Sequence, residues 1–317
     1  MRDVILALIP ALAASLWFFG RRALVLECTC VASCLLSEWL CRRVMRRPDT
    51  TGDLSAVVTG LLLAFNLPPD LPPLLAALGG VFAIVVCKQF YGGLGYNPFN
   101  PALAARAFLL LSFTGAMTTW SASGWVSAAD ALTTATPLPP DAMTTATPLG
   151  FAKGGLKAGA AAFAMTPSLA WRLFIGNVNG CVGETSALAL ILGGIYLLCR
   201  KVIRWQTPVA FISTVAIGAA VLHAASPATQ MPASFHLLAG GLLLGAIFMA
   251  TDMVTSPTTG AGQFVFGLGC GILTLVIRTV ASGDYPEGVS FSILIMNAFV
   301  PLINRFTRVK PFGESHA

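Results

Sequence analysis

The sequence has 317 residues, of which 56% are hydrophobic and only 10% charged. A water-soluble domain carries roughly a quarter charged residues, so a soluble enzyme is excluded first. The net charge of +6 does not point to nucleic acid either, because the basic residues stand in short runs between apolar stretches (Arg21-Arg22, Arg42-Arg43, Arg46-Arg47, Arg200-Lys201), as in the loops of a polytopic membrane protein.

Ten apolar segments are predicted to cross a bilayer as helices: 4–20, 23–40, 54–67, 71–90, 102–118, 184–199, 207–225, 234–251, 262–281 and 289–303. The first has only Arg2 before it and no small-residue cleavage site, so it reads as a retained span. Most of the eight cysteines lie inside these segments without a CxxC pair or a neighbouring His, which predicts packing roles rather than a metal site. Loops on the N-terminal side hold 11 basic residues (Arg2; Arg42, Arg43, Arg46, Arg47; Arg200, Lys201, Arg204; Arg305, Arg308, Lys310), and the opposite loops hold five (Arg21, Arg22, Lys153, Lys157, Arg172). That bias predicts both termini in the cytoplasm. Trp39, Trp120, Trp125, Trp171 and Trp205 fall at segment ends, the depth an amphipathic indole prefers.

Segments 54–67 and 289–303 are short for a crossing and are bounded by Asn66-Leu-Pro-Pro-Asp70 and Asp284-Tyr-Pro-Glu-Gly288. Broken helices at membrane depth survive only where protein or a cavity satisfies their backbone, so ligand sites are expected beside them. A faint repeat accompanies them. Gly60-Leu-Leu-Leu-Ala64 and Asn97-Pro-Phe-Asn-Pro101 are echoed by Gly241-Leu-Leu-Leu-Gly245 and Asn297-Ala-Phe-Val-Pro301, with the second copy entering from the opposite side. The expected fold is an all-α, single integral membrane domain built as an inverted repeat with discontinuous helices. Its halves cover about 1–118 and 166–317, around an outer loop at 119–165.

Charge inside the spans costs roughly 2.5–3.5 kcal/mol per group at mid-depth and asks for a reason. Lys88, Arg106, Asp252 and Arg278 are the candidates, with Asp53 and Glu184 near segment ends. Lys88 and Arg278 are expected to snorkel from span ends. Asp252 precedes the break Thr255-Ser-Pro-Thr-Thr259, where hydroxyls and freed carbonyls suit a cation or a ligand ring; an Asp–Arg pair locking the helices is the alternative.

The outer loop contains a tandem near-duplicate, Asp130-Ala-Leu-Thr-Thr-Ala-Thr-Pro-Leu138 and Asp141-Ala-Met-Thr-Thr-Ala-Thr-Pro-Leu149. A threonine without a nearby His is a poor nucleophile but a good attachment point. The pattern D-x-x-[ST]-x-A-T-P-L resembles the flavinylation motif of the RnfD/NqrB family, membrane components of the Rnf complex and of the Na⁺-translocating NADH:quinone reductase. Further blocks carry the resemblance along nearly the whole chain: Ser55 to Pro69, Lys88 to Ala102, Gly183-Glu-Thr-Ser-Ala187, Ala250 to Thr259, and Tyr285-Pro-Glu-Gly-Val289 to Asn297.

The resemblance implies covalent FMN, linked through its phosphate to the last Thr of the motif by a dedicated flavin transferase. Thr147 is preferred because Lys153 follows it at the usual distance, and Thr136 is the alternative; Thr134 and Thr145 stand where the family has Gly. It further implies a non-covalent riboflavin, for which Asn66, Asn97, Asn100 and Asp252 are candidates, and the other Rnf subunits (A, B, C, E and G) as partners in the bacterial inner membrane. Electron flow between ferredoxin and NAD would be coupled there to Na⁺ or H⁺ movement. The competing reading is a solute channel or transporter of urea-channel-like architecture, a fold these subunits are thought to share, which would have no use for the threonine motif.

Overall fold

A computed structural model describes residues 1–120, 147–149, 165–227, 230–279 and 288–307. All regular secondary structure among the described residues is helical. Helices α1 (Arg2–Phe19) and α2 (Arg21–Val44) are joined at Gly20, whose φ of 59° favours glycine. Then come α3 (Ser55–Phe65), α4 (Pro73–Ile84, continued by a π-helical turn, Val85–Gln89), α5 (Pro101–Ser112) and the short α6 (Thr114–Met117). The second half holds α7 (Pro167–Ile175), α8 (Ala187–Cys199), α9 (Gln206–Ala225), α10 (Ala233–Leu238) and α11 (Leu242–Leu244, continued by a π-helical turn, Gly245–Met249). It closes with α12 (Gly260–Thr279) and α13 (Gly288–Phe306).

Helix starts follow local chemistry. Asn100 accepts from the N–H groups of Ala102 and Leu103 ahead of α5, with Pro101 at the first helical position; Ser186 and Thr166 cap α8 and α7 in the same way.

Five helices, α1, α2, α9, α12 and α13, are long and apolar enough to cross a membrane, and α3, α4 with its π-turn, α5 and α8 are shorter apolar helices. With the interrupted α10–α11 they account for the ten predicted segments. Leu6, Trp17, Leu36, Leu111, Ile217 and Phe299 are exposed on this apolar bundle, as lipid-facing side chains are. The protein is a polytopic, all-α membrane protein.

The expectation for 289–303 needs correction. Gly288–Phe306 is one continuous helix of 19 residues that tolerates Pro301 in its interior. The break lies instead in predicted segment 234–251, at Gly240 (φ 73°) and Gly241, where α10 stops and α11 starts. A side chain at Gly241 would collide with the Glu184 carboxylate, so the break makes room for a charge.

The two halves are tied together at both ends of the bundle. Asp3 on α1 accepts from Tyr196 Oη at 3.0 Å, and Arg200 follows at 3.4 Å, which places the start of α1 beside the end of α8. At the other face, Val182 and Gly183 donate their N–H groups to the carbonyls of Leu67 and Phe65, both at 3.1 Å. In the first half α2 packs on α3 and α4, and α4 on α5; in the second, α9 packs on α12, and α12 on α13. The outer members pair across the halves, α1 with α8 and α5 with α13. The Asn–Pro echo is not matched in the structure, because Asn97–Pro101 leads into α5 while Asn297 and Pro301 lie inside α13.

Candidate functional site

Two pockets open towards opposite ends of the bundle. The larger, about 280 Å³, lies on the face that carries Met1, between the halves. Its polar lining is Ser55, Thr59, Lys88, Asn97, Asn100, Thr251 and Asp252, set in an apolar wall that includes Val58, Leu62 and Phe248. Three of the four residues assigned from sequence to a non-covalent flavin meet here. The fourth, Asn66, is 2% exposed and sits behind the wall, donating to Leu62 O at 2.6 Å and to Met249 Sδ at 3.5 Å.

The π-turn Gly245–Met249 positions this wall. Asn100 Nδ2 donates to Met249 O at 3.4 Å. Asn297, its amide turned so that the nitrogen donates to Ile293 O and Thr255 O, accepts from Asn100 N at 3.2 Å. α5, the α11 turn, the Thr255 break and α13 are therefore stitched together at one point, and the signal for it in the sequence was the isolated Asn297 in an apolar helix.

Asp252 is half-buried; its carboxylate accepts from Thr255 Oγ1 at 3.0 Å and from Val254 N at 3.4 Å. No basic side chain among the described residues pairs with it, which removes the Asp–Arg lock.

The snorkelling expected of Lys88 is also corrected. It is 2% exposed, pairs with Glu38 at 2.8 Å and donates to Ser55 Oγ at 2.6 Å. Glu38 was the residue missed. It lies in α2 among apolar neighbours, and only the cost of burying Lys88 alone would have demanded it.

Between the two pockets stands Arg106 of α5, 4% exposed. Its Nη1 donates to Ser290 Oγ at 2.7 Å, Asn66 Oδ1 at 3.0 Å and Glu184 Oε1 at 3.2 Å, and its Nη2 reaches Cys181 Sγ at 3.6 Å. Residues from α3's break, the α8 approach and α13 thus converge on one guanidinium, the geometry in which a buried charge is tolerated.

The second, small pocket, about 20 Å³, lies towards the other face. Thr147, 7% exposed, lines it together with Leu149, Leu173, Glu184, Thr185 and Gly240. Arg278 approaches the same spot: a Cβ at Gly240 would sit 3.2 Å from Arg278 Nη2. Arg278 does not snorkel as expected. It is 2% exposed and donates to His236 O at 2.8 Å and Ala239 O at 3.3 Å, the carbonyls freed where α10 ends. Arg106, Glu184 and Arg278, all buried, therefore carry a net positive charge between them. The alternative attachment residue Thr136, and Lys153, lie outside the described residues.

The site's fit to a phosphodiester can be judged from this donor set. Of the three, Glu184 lines the Thr147 pocket and Arg278 approaches it at Gly240. The pocket holds about 20 Å³, so an isoalloxazine ring attached there would have to lie outside it.

The family model described as the NQR2, RnfD, RnfE family matches residues 1–313. The chain is 45% identical over 313 residues, 99% of its length and 90% of the relative's, to the D component of the Na(+)-translocating ferredoxin:NAD(+) oxidoreductase complex of Acetobacterium woodii. It is equally 45% identical, over 314 residues and 91% of the relative, to the D component of the proton-translocating ferredoxin:NAD(+) oxidoreductase complex of Clostridium ljungdahlii. Identity to the D component of the ion-translocating oxidoreductase complex of Stutzerimonas stutzeri is 40% over 332 residues, spanning 99% of this chain and 92% of that one. With a matched span of 1–313 and relatives this similar over nine-tenths of their own length, the chain belongs to the NQR2, RnfD, RnfE family.

Proposed function

We propose that this protein is the flavin-carrying membrane subunit of an ion-translocating ferredoxin:NAD⁺ oxidoreductase of the Rnf type, set in the bacterial inner membrane with both termini in the cytoplasm. The observation that carries the reading is the family match over residues 1–313, together with Thr147 of the duplicated threonine motif buried in a pocket that Arg278 approaches at Gly240. FMN, when bound, supplies reversible electron transfer. Thr147 Oγ1 is the attachment atom, and Arg278, which approaches the pocket at Gly240, is the countercharge. Thr136 is the substitute attachment point, and Lys153 a further cation for the phosphate.

The 280 Å³ cavity is the place for a second, non-covalent flavin, riboflavin, with Asn97, Asn100 and Asp252 in its lining and Asn66 supporting the wall behind. The wall of hydrophobic residues supplies the apolar surface a ring needs, and the amides supply donors and acceptors for its edge. The other Rnf subunits (A, B, C, E and G) complete the electron path, and a flavin transferase matures the protein. A passive solute channel is disfavoured because it has no use for the duplicated threonine motif.

The test is mass spectrometry and in-gel fluorescence of protein made in a host that has the transferase. The intact mass should exceed the sequence mass by one FMN phosphoester, mapped to residues 141–149. Thr147→Ala should abolish the fluorescence and Thr136→Ala should not. An unmodified wild-type chain refutes the reading.

A further inference from the structure

The cluster around Lys88 is not used by the reading above, although Lys88 lines the 280 Å³ cavity. Its Nζ donates to Ser55 Oγ at 2.6 Å, and Ser55 Oγ donates in turn to an Asp53 carboxylate oxygen, which also accepts the Ser55 N–H at 2.7 Å. Asp53 is half-buried on the Met1 face, and Leu54 between it and Ser55 adopts a left-handed φ of 65°. A leucine is rarely held there, and the conformation turns Asp53 back onto Ser55. Lys88 and Ser55 are 2% and 4% exposed, so the three groups form an unbroken hydrogen-bonded chain from the protein's edge to the cavity.

Glu38 keeps the chain in register. It is fully buried and accepts from Lys88 Nζ at 2.8 Å, Thr50 Oγ1 at 2.9 Å and Gln89 Nε2 at 3.0 Å. Cys34 on α2 and Asp252 across the cavity are the other titratable groups nearby.

We propose that Asp53, Ser55 and Lys88 are a proton relay that carries protons from the cytoplasmic side into the cavity as its redox group is reduced. The inference rests on the cavity holding a flavin. For a ring reduced in the cavity, Lys88 would be the proton donor, through Nζ. The amine so formed recovers a proton from the Ser55 hydroxyl once that hydroxyl turns from Asp53 towards Lys88, while the Asp53 carboxylate takes a proton from solvent and passes it to Ser55. One proton enters for each proton Lys88 gives up, and every relay group returns to its starting state.

Two variants separate this from a structural role. Lys88→Arg keeps the positive partner of Glu38 but cannot deprotonate, and Asp53→Asn keeps an oxygen acceptor for the Ser55 N–H but has no acid proton to pass on. In the purified, assembled complex, proton uptake from the medium is followed with a pH-indicating dye after photochemical reduction, with complex yield and non-covalent flavin content measured on the same preparations. Both variants should retain yield and flavin while slowing proton uptake at least tenfold, and Asp53→Glu should recover most of the rate. Should Lys88→Arg assemble poorly, Asp53→Asn decides. Wild-type uptake rates at full flavin content overturn the relay alone. A wild-type complex without non-covalent flavin overturns the assignment of the cavity and the relay with it.

Discussion

Glu184→Gln tests the central charge arrangement most directly. Arg106 and Glu184 face each other at 3.2 Å with side chains 5% and 4% exposed, so neither has water to fall back on. Removing one partner of a buried pair costs about 3–5 kcal/mol, chiefly because the other charge is stranded. Here the change raises the positive charge of the Arg106–Glu184–Arg278 trio from one to two, which places the cost in the upper part of that range. A second substitution, Arg106→Met, made in the Glu184→Gln background removes the stranded cation. The double variant should therefore be more stable than the sum of the singles by about 2 kcal/mol or more, well beyond the roughly 0.3–0.5 kcal/mol within which independent sites add. The assay is reversible unfolding of the purified subunit in mixed micelles, wild type and three variants side by side. Additive effects would show that the pair contributes no coupling and would refute the charge argument.

If Thr147 carries the proposed flavin phosphodiester, a negative charge is added near Arg278, so protein made without the flavin transferase should unfold at lower temperature than the modified protein; equal transitions would argue against a phosphate near Arg278. Asp252→Asn should leave complex yield and covalent FMN intact while lowering non-covalent flavin content and coupled turnover, because Asp252 neutralises no described cation and its loss strands none; flavin content and ion-dependent turnover on one preparation decide it. Gly60→Ala should destabilise the subunit by about 1–3 kcal/mol through overpacking, since the new Cβ would meet the Val31 backbone at 2.7 Å, whereas Gly115→Ala meets nothing within 4 Å and serves as the control in the same unfolding assay.

Much of the architecture was legible because a bilayer imposes a strong rule, the length of the apolar run, and it acts locally along the chain. The ten apolar segments follow from such local signals. So does the threonine motif, whose meaning comes from its resemblance to a family pattern. What the sequence left undecided were the partners of its rare charges. Lys88 and Arg278 look like span-end cations when only their neighbours in sequence are visible. Their true partners, Glu38 across α2–α4 and the carbonyls of His236 and Ala239 at the end of α10, lie 50 and about 40 residues away. Hydropathy likewise missed the break at Gly240–Gly241, because its cause is a Glu184 carboxylate packed against it from another loop. Tertiary structure decided these points for one physical reason. A buried charge is stable only where distant elements bring it a countercharge or freed backbone, and which elements meet is fixed by packing rather than by any local run of residues.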